Sequence, residues 1–347
     1  MFGILCRFLT VFVSVVVLLS ATETAQAKRV TLTFHVSTTG NDAWSGTRAT
    51  PNRKRTDGPF SSLERAFSEV CTAAAANSAY RMEAVIELQA GCYEIKDTLR
   101  ITNEELGSEG NSLTIRGGKG AEVRLVGGKR VEGFEPVSDP EVLAQLDESA
   151  RGNVVQRNLR QLGIADLGEA GGGGLELFFN DQPMTVSRWP NEEFTKVTGL
   201  AGQSPIESHG IKGDSVGVIN YEGDRQSRWV AEKDPWAHGY WFWDWSEQRQ
   251  RIESIDAEKH ILTLAKPYHQ YGYRLNQWYY GFNLFCEIDS PGEWYLDRTT
   301  GMLYFWPPSP VEHGRAVVSV ISTVFSFKDI SHVTIENLTI EACRGHA

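Results

Sequence analysis

Positive charge is the scarcer sign in this sequence: 34 Lys and Arg stand against 44 Asp and Glu, a net charge of −10. The one basic run of three is Arg53-Lys54-Arg55. Phosphate backbones need clustered cations, so nucleic acid is excluded as a partner and an anionic bilayer is a poor one. A strongly anionic polymer would need a basic groove, and no other run supplies one. Familiar catalytic spacings are also missing. There is no GxSxG, no P-loop and no dinucleotide fingerprint after a strand. His209, His238, His260, His269 and His313 form no HExxH or other metal spacing, so no metal and no cofactor are expected. Cysteine is sparse, at five, and no CxxC occurs.

Long apolar runs are absent beyond the first 27 residues. There, Arg7 precedes an apolar run from Phe8 to Ala21, and Ala25-Gln26-Ala27 is a small-x-small cleavage signature. The segment reads as a secretory signal peptide cut before Lys28. The alternative is a membrane anchor, for which the run is short. Signal removal takes one base (Arg7) and one acid (Glu23), leaving 33 against 43 and the same net charge of −10. The mature chain would be secreted or periplasmic, with no membrane span. Cys71, Cys92, Cys286 and Cys343 remain, and four cysteines allow three pairings. Two readings stay open: free thiols, or one disulfide joining Cys71 to Cys92.

What is abundant is glycine, at 33, and tryptophan, at ten, which points to β-structure with many turns. In residues 28–134 a short strand (Thr33 to Ser37) precedes a polar loop, NDAWSGTRATPNRKRTDGP. Leu63, Phe67, Val70 and Ala74 then recur at helical spacing, and Ser61 with Glu64 fits a capping box. Short β-like runs follow around Val85, Leu99, Leu113 and Val123 at intervals of about 10 to 15 residues, a pattern suited to stacked coils. Residues 135–315 form an insert. A short helix is expected from Pro140 to Leu146, and Gly171 to Gly174 reads as a flexible connection. Three hairpins follow, around Asn180-Asp181, around DAEKH after Ile255 and around RTTG before Met302, which suggests an antiparallel barrel or sandwich. Residues 316–347 return to β-branched coil-like runs. A coil stack needs about three coils and a cap, so the stack is expected to be incomplete and to continue beyond residue 347.

FHVSTTGNDAWSGTRATPNRKRTDGPFSSLERA resembles the opening of secreted bacterial right-handed parallel β-helix proteins, in which a strand, an NDxWSG loop and an amphipathic helix cap the stack. ELFFNDQPMTVSRWPN and SPGEWYLDRTTGMLYFWPP are similar to segments of glycoside hydrolase family 141, where a β-rich domain is inserted after the first coils. The resemblance covers roughly residues 31–347. It implies an all-β fold, a right-handed parallel β-helix with an N-terminal capping helix and an inserted antiparallel domain. It also implies a polysaccharide or oligosaccharide partner. The family's catalytic carboxylates are expected on later coils, which have no counterpart here.

HGYWFWDWSEQ (238–248) is the densest aromatic stretch. As a strand it would place Trp241, Trp243, Trp245 and Glu247 on one face and Tyr240, Phe242, Asp244 and Ser246 on the other. The three tryptophans could form a sugar platform, or fill a core. Asp244 and Glu247 are catalytic candidates, although a strand would point them apart, and a glycosidase pair needs about 5 to 9.5 Å across a sugar site. Structural ion pairs are the alternative. Arg188 and Trp189 end a strand at a turn and are further substrate-binding candidates. Glu287 and Asp289 would share a face if extended, facing solvent or Ca²⁺. Asn337-Leu338-Thr339 is a sequon within a coil strand. Three functions are consistent with these features: a glycoside hydrolase, a non-catalytic glycan-binding or adhesion protein, and a calcium-dependent polysaccharide lyase.

Overall fold

A computed structural model describes residues 29–76, 81–107 and 110–345. The expected signal segment therefore lies outside the described residues. Strand is the predominant regular structure, arranged in several sheets, with one long helix. Three ladders are wholly parallel. Arg29–Val36, Arg81–Leu88, Ser112–Gly117 and Val333–Glu336 lie side by side in that order. Gly91–Glu94, Val123–Val126 and Thr339–Glu341 form a second ladder, and Leu99–Thr102 pairs with Phe325–Lys328 in a third.

Their register explains the short alternating sequence runs. Leu32, Ala84, Leu113 and Val333 fall in one column, and Phe34, Ile86, Ile115 and Ile335 in the next. Each inward side chain thus rests on its equivalent in the neighbouring strand, and period-two alternation puts polar residues outside. The same core takes in the helix Leu63–Ala75 through Leu63, Phe67 and Val70. The helix starts one residue later than its sequence suggests. Ser62, not Ser61, is the N-cap and accepts from the Arg65 amide. Glu64 turns away to accept from the Lys96 amide. Asp42 of the NDAWSG loop fixes this start, accepting from the Ser61 and Ser62 amides at 2.8 and 2.9 Å and from the Ser62 hydroxyl at 2.8 Å.

The chain leaves the parallel ladders along Gly128–Val131 and returns along Ala316–Ser319. These two strands pair antiparallel, with Val131 opposite Ala316. Arg124 and Arg315 knit the junction to Asp181 and Glu341, with Arg124 at 2.7 Å from Asp181 and Arg315 at 3.1 Å from Glu341. Between exit and return the sheets are mainly antiparallel. The three expected hairpin turns are present, with positive φ at Asn180, Asp181, His260 and Gly301. The helix Pro140–Gln145 is capped by Asp139. No sheet closes on itself among the described residues, so the barrel expectation fails.

One further expectation is corrected in part, and one open choice is decided. The glycine run is packed at its ends: a Cβ on Gly171 would lie 2.1 Å from the Trp236 ring, and one on Gly174 would lie 2.3 Å from the Glu169 carbonyl oxygen, whereas Gly172 and Gly173 are exposed with open space around them. The four cysteines among the described residues are free thiols, so Cys71 and Cys92 are not joined.

Asp42→Ala removes three hydrogen bonds at the helix start. It should lower stability by roughly 1–3 kcal/mol in denaturant melts, in the range of a lost cap plus unsatisfied amides.

Candidate functional site

The site grows from a pattern of large and small residues on two paired strands, Trp236–Gly239 and Trp278–Phe282. Trp236 lies opposite Phe282, Ala237 opposite Gly281, His238 opposite Tyr280 and Gly239 opposite Tyr279. On the inner face the small residues leave room for two fully buried indoles. A Cβ on Gly281 would stand 2.4 Å from the Trp229 ring, and one on Gly239 2.8 Å from Trp241. Trp236, His238 and then Tyr240 consequently point outward, beside Phe282, Tyr280 and Trp278. Successive outward positions are about 6.6–7 Å apart, close to the spacing of sugar rings along a chain.

Neighbouring strands complete this face. Arg188 pairs with Phe282, and Lys196 with Trp278. Arg251 pairs with Trp236, and Arg249 with His238. The Phe194 ring closes the cluster, 5.5 Å from Tyr280, 6.0 Å from Tyr240 and 6.5 Å from His238. Phe194 is exposed, while Tyr240, Trp278 and Tyr280 are half-buried. Each row across the sheet thus has aromatic rings in the middle and charged side chains at its margins.

At the centre, the Arg188 guanidinium lies 3.6 Å from the centroid of the Tyr280 ring. Its Nε and Nη2 donate to the carbonyl oxygens of Pro190 and Glu193, which holds the loop that carries Phe194. Burial lowers the Arg188 pKa and raises that of Tyr280. His238 Nε2 stands 3.2 Å from Glu247 Oε2, while its buried Nδ1 has no partner. Burial lowers the His238 pKa, against the pull of Glu247.

Beneath the face sit buried carboxylates. Glu293 accepts from the Asp289 and Ser290 amides at 2.9 and 3.0 Å, and lies 3.4 Å from the Arg188 amide. Burial pushes it up to about 7, aided by the Asp289 charge. Glu287 is fully buried, accepting from Arg225 Nε at 2.9 Å and from the Trp229 indole at 2.7 Å. It therefore faces neither solvent nor a calcium ion. Asp289 is held by Arg225 and Asn191. Among the described residues no group of three or more His, Cys, Asp or Glu side chains could hold a metal ion.

The stretch 238–248 is not one strand. The strand ends at Gly239, the chain turns through 240–247, and the next strand begins at Gln248. The three tryptophans consequently part. Trp241 is fully buried, stacked 5.8 Å from Tyr279, and offers no face to a ligand. Trp243 is half-buried beside His209, and Trp245 is 68% exposed against Tyr271. Asp244 pairs with Arg274 at 3.0 Å, and Glu247 with His238, so these carboxylates serve separate networks. Trp189 lies on the inner side, edge-on to Trp229 at 6.1 Å. Of the sequence candidates, Arg188 and Glu247 meet on the aromatic face. Trp236, His238, Tyr240, Trp278, Tyr280 and Phe282 were missed, though WAHG (236–239) alternates bulky with small residues in a way that marks its strand.

Concavities elsewhere compete poorly. One of about 650 Å³ lies between the helix 63–75 and the strand 99–102. Its Glu64 and Glu105 are engaged as backbone acceptors and caps. A pocket of about 60 Å³ holds Glu232, which accepts from the Phe285 and Cys286 amides, and Asp297, which is paired with Lys233.

No family model matches the sequence, and no curated protein shows significant sequence similarity to it. Among solved structures, a glycoside hydrolase aligns with TM-score 0.67 and 17% identity over 90% of this chain and 51% of its own. The fold is therefore glycoside hydrolase-like, and the chain spans about half the length of that neighbour. The complex of XylC with xylose aligns at TM-score 0.39 and 11% identity, over 90% of this chain and 36% of that one, a level that carries no argument. No helix among the described residues is long and apolar enough to cross a membrane.

Two outcomes follow for stability. Trp241→Ala empties a packed site and should cost about 3–5 kcal/mol in chemical denaturation. Trp245→Ala should stay within about 0.5 kcal/mol. Glu293 has a folded pKa above its unfolded value. Its contribution is therefore fully present below about pH 4.5 and lost as pH rises through about 7. Glu293→Gln should flatten that part of the stability–pH curve, removing a slope worth up to about 3 kcal/mol.

Proposed function

We propose that this chain belongs to an exported, carbohydrate-active protein that lays a glycan along the aromatic face formed by Trp236, Tyr240, Trp278, Tyr280 and Phe194. The carrying observation is the partly exposed cluster of Trp236, Tyr240, Trp278, Tyr280 and Phe194, whose outward positions along the strands are set at about the spacing of sugar units. Sugar rings have apolar C–H faces and polar rims, so they stack on such surfaces while their hydroxyls reach the marginal charges. The glycoside hydrolase-like fold supports the same partner class.

The finer architecture belongs to this reading. The three parallel ladders are the coils of a right-handed parallel β-helix capped by the helix 63–75, and residues 135–315 are an insert between coils, as in glycoside hydrolase family 141. Pairing of the exit and return strands supports the insert. Asp244 and Glu247 are held by different partners, so the reading assigns the acid–base pair of hydrolysis to the half of the neighbour that this chain does not span. Export rests on the apolar run and small-residue cleavage signature of residues 1–27, and the destination is the medium or the periplasm.

Affinity electrophoresis against a panel of neutral and acidic polysaccharides tests the reading. At least one glycan should retard the protein. Phe194→Ala and Trp278→Ala, both folded by circular dichroism, should each weaken that retardation roughly tenfold, the equivalent of about 1.4 kcal/mol. No retardation by any glycan, or retardation that both variants leave intact, rejects it. An adhesion protein would bind in the same way without releasing oligosaccharides, so product analysis with the complete protein separates binding from hydrolysis.

A further inference from the structure

The chain is acidic overall, yet the aromatic face gathers Arg188, Lys196, Arg249 and Arg251 from three separate strands. Sequence spacing shows only Arg249 with Arg251; strand pairing brings Arg188 and Lys196 to them. The acids that face them are few. Asp234 is taken by Arg251 at 3.1 Å and by the Trp236 indole. Glu247 is taken by His238. Glu176 acts on Arg249 only through its field. Glu192 and Glu193 lie on the exposed loop before Phe194. Lys196 and Arg249 have no ion pair among the described residues.

Arg188 is the telling member. It is half-buried, and none of its guanidinium nitrogens meets a carboxylate. Nε and Nη2 are bound to neutral carbonyls, and Nη1 is unused. The acid beneath it, Glu293, is pushed up to about 7, so it is a weak counter-charge around neutral pH. A partly desolvated cation without a counter-ion is unfavourable, and a ligand carboxylate would relieve it. A second polar atom in the same ring cluster is also unsatisfied. His238 Nδ1 is buried without a partner 4.9 Å (ring to ring) beside Tyr280, and can accept from a hydroxyl when Nε2–H serves Glu247.

We infer that the aromatic face is a subsite for a uronic acid residue. Its carboxylate binds Arg188 Nη1 within the field of Lys196 and Arg249, and its ring lies against Phe194. The inference rests on the glycan-binding reading above and names its substrate class. It also revises the sequence-based expectation that an anionic polymer has no basic surface to meet.

The experiment is calorimetric titration of the full chain with oligogalacturonate and with its methyl ester, which keeps the ring and removes the charge. The free acid should bind at least about tenfold tighter at low salt, and the margin should shrink as ionic strength rises. Arg188→Met should abolish the margin. The Lys196→Ala/Arg249→Ala pair, both exposed and away from the loop staple, should reduce it about threefold, so the test stands even if Arg188→Met misfolds. Equal binding of acid and ester, binding of neutral glycans alone, or a margin that neither variant moves overturns the uronate assignment and leaves the glycan reading standing. Absence of binding to either form and to every neutral glycan overturns both.

Discussion

Trp229 and Trp241 press their rings against strands whose small inward positions are Ala237, Gly239 and Gly281. A Cβ at either glycine would enter an indole. That approach leaves room for one large inward side chain, Tyr279, which stacks on Trp241, and the other rings of the two strands stand outward. Trp229 is itself fixed, because its indole donates to Glu287 and Glu287 is bound by Arg225. A buried ion pair adds little stability against an apolar substitute, but removal of one partner is severe. Its role here is positional: it sets the height of the indole on which the outer surface depends.

A second constraint acts at the junction of the two kinds of sheet. The strands Gly128–Val131 and Ala316–Ser319 pair with each other, and Arg124, Arg315, Asp181 and Glu341 alternate in charge across the same place. Arg124 and Glu341 also belong to adjacent strands of one parallel ladder. The residues that align the ladder are therefore the ones that fasten the intervening sheets to it. Most of these pairs are partly exposed, so their value lies in the network more than in any single bridge.

Much of this was legible in the sequence, and the limits have physical causes. The helix, the hairpin turns and the alternating runs of the parallel ladders are local patterns, and they were readable to within a residue or two. The stretch 238–248 misled because aromatic density resembles a strand. Nothing local shows that the chain turns after Gly239, whereas the glycines at 239 and 281 acquire meaning only once Trp229 and Trp241 lie beneath them. The basic margin of the aromatic face was invisible for the same reason. Arg188 and Lys196 become neighbours of Arg249 and Arg251 through register alone. Gly171 to Gly174 read as a spacer, and its two ends proved to be small because Trp236 and Glu169 occupy the space.

The pairing of exit and return strands also bears on the order of assembly. Arg124 and Glu341 are 217 positions apart, and the ladders that join them must wait for the far partner to be synthesised. Closing so long a loop is entropically unfavourable and slow when the chain between is unstructured. If the segment between Val131 and Ala316 folds first, its own ends come out side by side. The effective loop then shrinks to the few residues that flank the paired strands. The late strands Phe325–Lys328, Val333–Glu336 and Thr339–Glu341 would be delivered directly onto partners already stacked against the helix. The interruption in the parallel ladders would thus shorten the search that completes them.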